Sequence, residues 1–369
     1  MTRVLVVTND FPPRPGGIQS FVHGLVSRLP GVLVYAPSWP GDADFDRRQP
    51  YPVFRHPTSL MLPTRDVGRR AAALVERHGV DTVVFGAAAP LGLLAPRLRA
   101  AGARRIVMLT HGHEASWAAT PGFRAVLRRI ARGADAVTYL GGYTRRRLEA
   151  VIPPALLVPL APGVDPGRFH PEVPGTVVRQ RLGLGERPVV VCVSRLVPRK
   201  GQDRLIRAWP RVLRGVPSAV LLLVGEGPYR RRLARLGAGL GDAVRFAGAV
   251  PAEELPLYYA AGDVFAMPCR TRWRGIDVEG LGIVFLEASS SGLPVVAGSS
   301  GGAPDAVRHG ESGLVVDGDG VDELAEALVD LLSDPVRARK MGELGREWIL
   351  REWAWDQVMT HFDDILRHR

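Results

Sequence analysis

The sequence predicts an α/β protein made of two domains, each a doubly wound parallel sheet. Short apolar runs of strand length alternate with segments of helical periodicity along the chain, starting with the strand at Val4–Val7. The chain has 369 residues, which is too long for one ordinary core. Residues 159–171 contain four prolines and are typical of a linker. We therefore expect domains at residues 1–170 and 171–354, with a terminal helix at residues 355–369.

Composition excludes several classes of protein. Hydrophobic residues make up 46% and charged residues 23%, which is usual for a globular protein, and no apolar run reaches the roughly 18 residues of a spanning helix. The chain begins with a strand pattern instead of a signal-peptide pattern. Cys192 and Cys269 are far apart in apolar segments, which favours free thiols. The net charge of +11 comes without a basic-aromatic motif, so we expect no nucleic acid, whereas anionic ligands and a membrane surface stay open.

Two features of the first half are candidate site elements. Gly16 and Gly17 lie between the first strand and the first helix, and glycines there would let a phosphate approach the backbone. The segment lacks the dinucleotide and P-loop glycine patterns, and a plain turn is the alternative. His111 and His113, with Glu114, follow a buried strand at residues 106–109. We expect one of these histidines in a cleft, the alternative being loop hydrogen bonds.

A basic amphipathic helix is predicted at residues 123–132. Its arginines, Arg124, Arg128, Arg129 and Arg132, oppose an apolar side at helical spacing. This helix is the best candidate for a face that contacts anionic lipid. An ordinary solvated helix in an arginine-rich chain is the alternative.

In the second half, Arg195 and Lys200 follow the strand at Val189–Val193. Cations five residues apart at a strand end can converge on one anionic group. Of 48 basic residues only Lys200 and Lys340 are lysine, so lysine at this position is informative. The pattern favours an anion site over a solvated pair of charges.

The stretch from Glu279 to Glu287 carries two carboxylates around Gly280-Leu281-Gly282. A glycine turn before a helix exposes backbone amides at the positive end of the helix dipole, which suits a diphosphate, while carboxylates suit sugar hydroxyls. A glycine loop flanked by solvated acids is the alternative. Asp317-Gly318-Asp319 imitates a metal motif, but its place between a strand and a helix favours a loop and a helix cap.

Together these motifs resemble the retaining GT-B glycosyltransferases that use nucleotide-diphosphate sugars, over nearly the whole chain. The segments at residues 11–18, 110–114 and 278–288 are most similar to the actinobacterial phosphatidylinositol mannosyltransferases. The resemblance implies two Rossmann-like domains facing a cleft, with helix 355–369 packing back on the first domain. It implies a retaining α-mannosyltransferase that moves mannose from GDP-mannose to a phosphatidylinositol mannoside.

The resemblance also implies a role for each candidate residue. Arg195 and Lys200 would neutralise the diphosphate, Glu287 would bind the ribose, and Glu279 would bind the transferred sugar. His111 or His113 would contact that sugar as well, and Gly16 and Gly17 would border the donor phosphate and the acceptor. The remaining donor-binding positions are the turn and first helical residues Gly280, Leu281, Gly282, Ile283 and Val284, and Val250 at the base pocket.

No cofactor and no essential metal are expected, because the two cations would supply the charge that a magnesium ion otherwise would. The implied enzyme is cytoplasmic and peripherally associated with the inner face of the cell membrane. A glycosyltransferase of the same fold with another donor, or another lipid or small-molecule acceptor, is the principal alternative. A pyridoxal phosphate phosphorylase would need a buried lysine, for which only Lys200 and Lys340 are available. A non-catalytic basic protein is a further alternative. It would not explain why the chain carries Arg195, Lys200, Glu279 and Glu287.

Overall fold

The computed structural model describes residues 3–112, 114, 117–118 and 120–367, except for the side chains of Pro121 and Arg274. The chain forms two compact units: Met1–Gly163 together with Trp355–Arg369, and Val164–Ala354. Each unit has its own parallel sheet with helices between successive strands, as the alternation of apolar runs predicts. In the described part of the chain, no helix has the length and apolar character needed to cross a membrane.

The first unit contains a seven-stranded parallel sheet in the order β3-β2-β1-β4-β5-β6-β7. Its inner strands are rich in valine and almost fully buried, as expected when helices cover both faces. The strands are β1 Val4–Val7, β2 Leu33–Pro37, β3 Val53–His56, β4 Thr82–Phe85, β5 Arg105–Met108, β6 Ala136–Tyr139 and β7 Leu157–Pro159. The helices are α1 Gly17–Val26, α2 Asp42–Asp46, α3 Arg65–His78, α4 Ala95–Ala100, α5 Pro121–Ala131 and α6 Gly142–Glu149.

The second unit contains a six-stranded parallel sheet in the order β10-β9-β8-β11-β12-β13. The strands are β8 Val189–Val193, β9 Val220–Val224, β10 Val244–Gly248, β11 Val264–Met267, β12 Val295–Gly298 and β13 Gly313–Val316. The helices are α7 Thr176–Arg181, α8 Gln202–Gly215, α9 Arg230–Gly237, α10 Leu255–Ala260, α11 Ile283–Ser290, α12 Val321–Ser333 and α13 Pro335–Trp348. The strand order reverses between β8 and β11, and ligands of such sheets bind at this switch point, beyond the strand carboxyl ends.

The last helix, α14, spans Trp355–Arg367 and packs within the first unit. Arg105 Nε donates a hydrogen bond of 2.7 Å to the carbonyl oxygen of Ile365, and the indole of Trp355 lies against Phe21 with ring centroids 6.4 Å apart. A π-turn at Ile349–Trp353 and an extended residue at Ala354 separate α14 from α13.

Both edge strands of the first unit lack a clear sequence signal. In β3 the apolar pair Val53 and Phe54 is followed by Arg55 and His56, so no apolar run marks a strand. Strand β7, Leu157–Pro159, runs into the proline-rich segment that predicts a linker. Edge strands tolerate polar residues and proline because one side of their backbone needs no partner.

Candidate active site

The charged candidates of the second unit lie at its switch point. Arg195 and Lys200 follow β8, and Glu279 lies between β11 and α11. Strands β8 and β11 are neighbours in the sheet, so both segments leave its carboxyl edge side by side. The sheet order therefore brings together residues that are 79 positions apart in sequence, Lys200 and Glu279.

Lys200 and Glu279 form a buried ion pair. The distance from Lys200 Nζ to Glu279 Oε2 is 2.7 Å, and each residue is less than a tenth exposed. Burial alone would raise the pKa of the Glu279 carboxyl, but Lys200 and Arg199 outweigh that effect and hold the pKa below its usual value. Glu279 is consequently ionised at neutral pH and can accept hydrogen bonds from hydroxyl groups.

Arg199 is a second cation on the same carboxylate, and the sequence reasoning missed its role. Its Nη1 atom lies 2.5 Å from Glu279 Oε2, and its Nε atom lies 3.3 Å from Asp277 Oδ1. Asp277 is also paired with Arg272 across an antiparallel bridge. The position of Arg199 next to Lys200 in the sequence could have indicated a shared site. Neighbouring positions alone do not show that both side chains contact Glu279.

Arg195 is exposed at the end of β8. Among the described residues, no ion pair or side-chain hydrogen bond involves its guanidinium. Its backbone is held in place, because the buried amide of Gln202 donates to the carbonyl oxygen of Arg195 at 3.1 Å and to Ser194 Oγ at 2.8 Å. The structure thus places Arg195 and Lys200 at one sheet edge, with Lys200 engaged by Glu279 and the Arg195 head group in solvent.

Gly282 caps the amino end of α11. Its φ of 86° lies in the left-handed region, and an added Cβ would come within 2.6 Å of the Phe285 ring, so glycine is required there. The first-turn amides of Ile283 and Val284 have no acceptor in the preceding turn of the helix, which leaves them for an anion. The carbonyl oxygen of Glu279 accepts a bond of 2.9 Å from the amide of Gly302, while Gly280 and the buried Leu281 complete the turn.

Glu287 lies one turn into α11 and is bonded to a side chain that the sequence did not point to. Tyr259 donates its hydroxyl to Glu287 Oε2 at 2.7 Å. Burial raises the pKa of Glu287 to about 7, and the hydrogen bond from Tyr259 and the charge of Arg168 only partly oppose this shift. Val250, the expected base-pocket residue, is half-buried in the segment after β10, the edge strand of the sheet.

The candidates of the first unit lie at the carboxyl edge of its sheet. Gly16 caps α1, and an added Cβ would collide with the amide of Gln19, which bonds Asp10 at 2.8 Å. At Gly17 an added Cβ would meet no atom within 4 Å, so this position is open. Both glycines are exposed at the start of α1, but only Gly17 has room for a side chain.

His111 follows β5 and is half-buried. Its Nε2 atom lies 2.5 Å from the carbonyl oxygen of Gly86, and because a carbonyl only accepts, Nε2 carries the proton. The ring also meets Phe21 of α1 edge-on, with centroids 5.7 Å apart, which connects His111 to the helix that Gly16 caps. His113, the other predicted histidine, lies outside the described residues.

Comparison with known proteins identifies the family. Residues 15–168 match Glycosyltransferase Family 4, and residues 176–348 match Glycosyl transferases group 1. The chain is 53% identical to the GDP-mannose-dependent alpha-(1-6)-phosphatidylinositol monomannoside mannosyltransferase of Mycobacterium tuberculosis, with 100% of this chain and 98% of the relative covered. The chain belongs to this mannosyltransferase family.

Other relatives agree with this membership. This chain is 43% identical to the GDP-mannose-dependent monoacylated alpha-(1-6)-phosphatidylinositol monomannoside mannosyltransferase of Corynebacterium glutamicum. The match covers 99% of this chain and 98% of the relative. Among solved structures, HepE of Anabaena, in complex with UDP, has a TM-score of 0.85 at 21% identity, with 99% of each chain covered. Sucrose-phosphate synthase of Thermosynechococcus elongatus has a TM-score of 0.80 at 23% identity, over 100% of this chain and 98% of that one. The mannosyltransferase therefore has the predicted GT-B fold.

Proposed function

We propose that this enzyme transfers mannose from GDP-mannose to a phosphatidylinositol monomannoside and retains the α configuration of the sugar. The observation that carries the proposal is the 53% identity, over the full chain, to an enzyme named for that reaction. The second unit supplies what the chemistry requires: cations, helix amides and an ionised carboxylate at one sheet edge.

The donor has groups that match these residues by chemistry. Its diphosphate suits Lys200, Arg195 and the first-turn amides of α11, because each offers N–H donors to phosphate oxygens. Its mannose hydroxyls suit Glu279, whose carboxylate stays ionised. Its ribose hydroxyls suit Glu287, and the guanine base is assigned to the segment around Val250.

The costly step is cleavage of the bond between the mannose anomeric carbon and the diphosphate oxygen, which leaves negative charge on GDP. Fixed cations and amides lower that barrier because they are already oriented toward the departing charge. In the proposed retaining path, the acceptor hydroxyl attacks from the face that GDP leaves, and its proton passes to a phosphate oxygen. The path needs no pair of flanking carboxylates and no metal.

In the first unit, contact with the transferred sugar is assigned to His111 or His113, and Gly16 and Gly17 are assigned to the donor phosphate and the acceptor. The bond from His111 Nε2 to Gly86 fixes the tilt of the imidazole, so the ring keeps one orientation as ligands bind. Asp10, Gln19 and the start of α1 form a hydrogen-bonded rim beside the glycines.

The membrane-facing element is assigned to α5. Leu127 and Ile130 are buried in the unit, whereas Arg128, Arg129 and nearly half of the Phe123 side chain are exposed. The apolar side of the helix is thus used for the protein core, and the exposed side offers positive charge. We propose that these arginines hold the enzyme to anionic lipid at the inner face of the cell membrane, where a lipid acceptor would be met.

The test is a screen with purified enzyme and phosphatidylinositol monomannoside in vesicles. GDP-mannose, UDP-glucose and UDP-N-acetylglucosamine are supplied separately, and the product is analysed by mass and by the one-bond C1–H1 coupling of the new sugar. The expected result is one added hexose from GDP-mannose in the α configuration. Faster transfer from either UDP-sugar, or a β product, would overturn the proposal.

A further inference from the structure

Tyr259 is a buried residue that the proposed chemistry has not used. It lies on α10, 28 positions before Glu287, and its ring is wedged between Phe169 and Phe265, with a centroid distance of 5.7 Å to each. The residue is 0% exposed. Two aromatic neighbours and full burial leave the ring no room to rotate away, so its hydroxyl has a fixed position.

The hydroxyl of Tyr259 is hydrogen-bonded to one oxygen of the Glu287 carboxylate. It donates to Glu287 Oε2 at 2.7 Å, and burial raises the pKa of Tyr259 well above its ordinary value, so the phenol remains a donor. In the described part of the chain, no other side chain hydrogen-bonds the Glu287 carboxylate. The contact therefore orients Glu287 and leaves its other acceptor positions for a ligand.

We propose that Tyr259 is the positioning residue for Glu287 and makes the site selective for nucleotides with ribose hydroxyls. The inference rests on the proposed function, which assigns Glu287 to the ribose. A carboxylate held at one oxygen can accept both the 2′ and the 3′ hydroxyl hydrogens without first losing rotational freedom. Without the phenol, a partly buried glutamate would sample several rotamers and would bind its ligand less tightly.

The pH dependence of nucleotide binding gives an independent measure of this contact. Hydroxyl groups donate to the ionised carboxylate, so GDP affinity should rise as pH increases through about 7, the pKa to which burial raises Glu287. Among the described residues, the Tyr259 phenol, by its hydrogen bond, and the Arg168 guanidinium, by its charge, act on Glu287, and both lower its pKa. Loss of the phenol should therefore move the midpoint of the binding curve to higher pH.

The experiment compares Tyr259→Phe with wild type by calorimetric titration of GDP and of 2′,3′-dideoxy-GDP across this pH range. Phenylalanine keeps the ring between Phe169 and Phe265 and removes only the hydroxyl. We expect about a tenfold loss of GDP affinity near neutral pH, with the midpoint shifted upward. The affinity for 2′,3′-dideoxy-GDP should stay near wild type, because that probe has no hydroxyl for Glu287.

Tyr258→Phe is the matched control on the same helix. Tyr258 is also buried, but its hydroxyl lies 3.5 Å from Arg181 Nη1 and not at Glu287. This variant should bind GDP as wild type does, with the same pH midpoint. Thermal unfolding of both variants checks that each is folded.

Several outcomes would overturn the inference. Wild-type GDP affinity in Tyr259→Phe would do so, and so would an equal loss for GDP and 2′,3′-dideoxy-GDP, which indicates a packing defect. Glu287→Gln separates this inference from the proposed function. If Glu287→Gln weakens GDP binding but Tyr259→Phe does not, only the positioning role fails. If Glu287→Gln leaves GDP binding unchanged, the ribose assignment itself fails.

Discussion

Lys200 Nζ and Glu279 Oε2 are 2.7 Å apart in a buried ion pair, and Arg199 contacts the same oxygen. Two cations therefore share one carboxylate. If Lys200 binds the diphosphate, as we propose, Arg199 still neutralises Glu279, so the negative charge is not left buried and unpaired. Under the proposed roles, Lys200 serves the leaving group while Glu279 stays available to the sugar.

The first prediction concerns the two partners themselves. Lys200→Ala and Glu279→Ala should each abolish mannose transfer while the fold survives, with turnover reduced by about a hundredfold or more because oriented charge at the leaving group is lost. Initial rates with GDP-mannose measure the effect, and circular dichroism checks folding. Lys340→Ala is the control, because Lys340 is exposed and its ion pair in the described part of the chain is with Glu343. Wild-type turnover in either site variant would show that the site assignment is wrong.

The second prediction concerns Arg199. Its charge helps to hold the pKa of Glu279 below the usual value, against the effect of burial. Arg199→Gln removes one of two opposing cations, so that pKa should rise and the acidic limb of the rate profile should move to higher pH. Arg199→Lys should restore most of the wild-type profile. Arg204→Gln is the control for loss of positive charge alone, because Arg204 pairs with Asp319. An unchanged pH–rate profile in Arg199→Gln would show that Arg199 does not lower the pKa of Glu279.

The third prediction concerns the glycine turn. Gly282→Ala forces a side chain into the left-handed region and against Phe285, which should cost about 1–3 kcal/mol of stability. It should also weaken GDP binding, because the first-turn amides of α11 shift. Gly239→Ala is the control, since an added Cβ there meets nothing within 4 Å. Denaturant unfolding measures the stability of each variant, and titration measures its affinity for GDP. Equal stability and equal affinity in the two glycine variants would contradict the prediction.

The fourth prediction concerns metal ions. In the described residues, no group of three or more His, Cys, Asp or Glu side chains is placed to hold a metal. Because Lys200 and Arg195 are proposed to neutralise the diphosphate, EDTA should leave the initial rate of transfer unchanged. Added magnesium should not raise that rate. A loss of activity in EDTA that magnesium restores would mean that the two cations are insufficient.

The fifth prediction concerns α5. Reversing the charge at Arg128 and Arg129, both to Glu, should reduce cosedimentation with vesicles that contain phosphatidylinositol, and added salt should reduce wild-type binding in the same way. Arg231 and Arg232 are exposed on α9, and their reversal to Glu is the control with equal change in net charge. Equal losses in the two double variants would indicate a general charge effect and not a specific lipid-facing helix.

Much of the fold could be predicted because it depends on local patterns. The nearly continuous apolar runs of β1, β4, β8 and β9 indicate buried parallel strands even when the neighbouring strands are unknown. The edge strands β3 and β7 were not predictable, because an edge strand depends on what packs beside it. Residue type and spacing likewise sufficed to select four charged candidates for the site: Arg195, Lys200, Glu279 and Glu287.

The sequence by itself determined the class of the protein. Strand periodicity indicated two α/β domains, the glycine turn and the sparse lysines indicated an anion site, and the resemblance of the combined motifs implied the GT-B fold. Only the tertiary structure decided which charges meet. The parallel pairing of β8 with β11 brings Lys200 and Arg199 to Glu279, and the Tyr259 hydroxyl on α10 reaches Glu287 on α11. These pairings join residues 28 to 80 positions apart, and local periodicity contains no information about contacts of that separation, because they are created by the order of strands in the sheet.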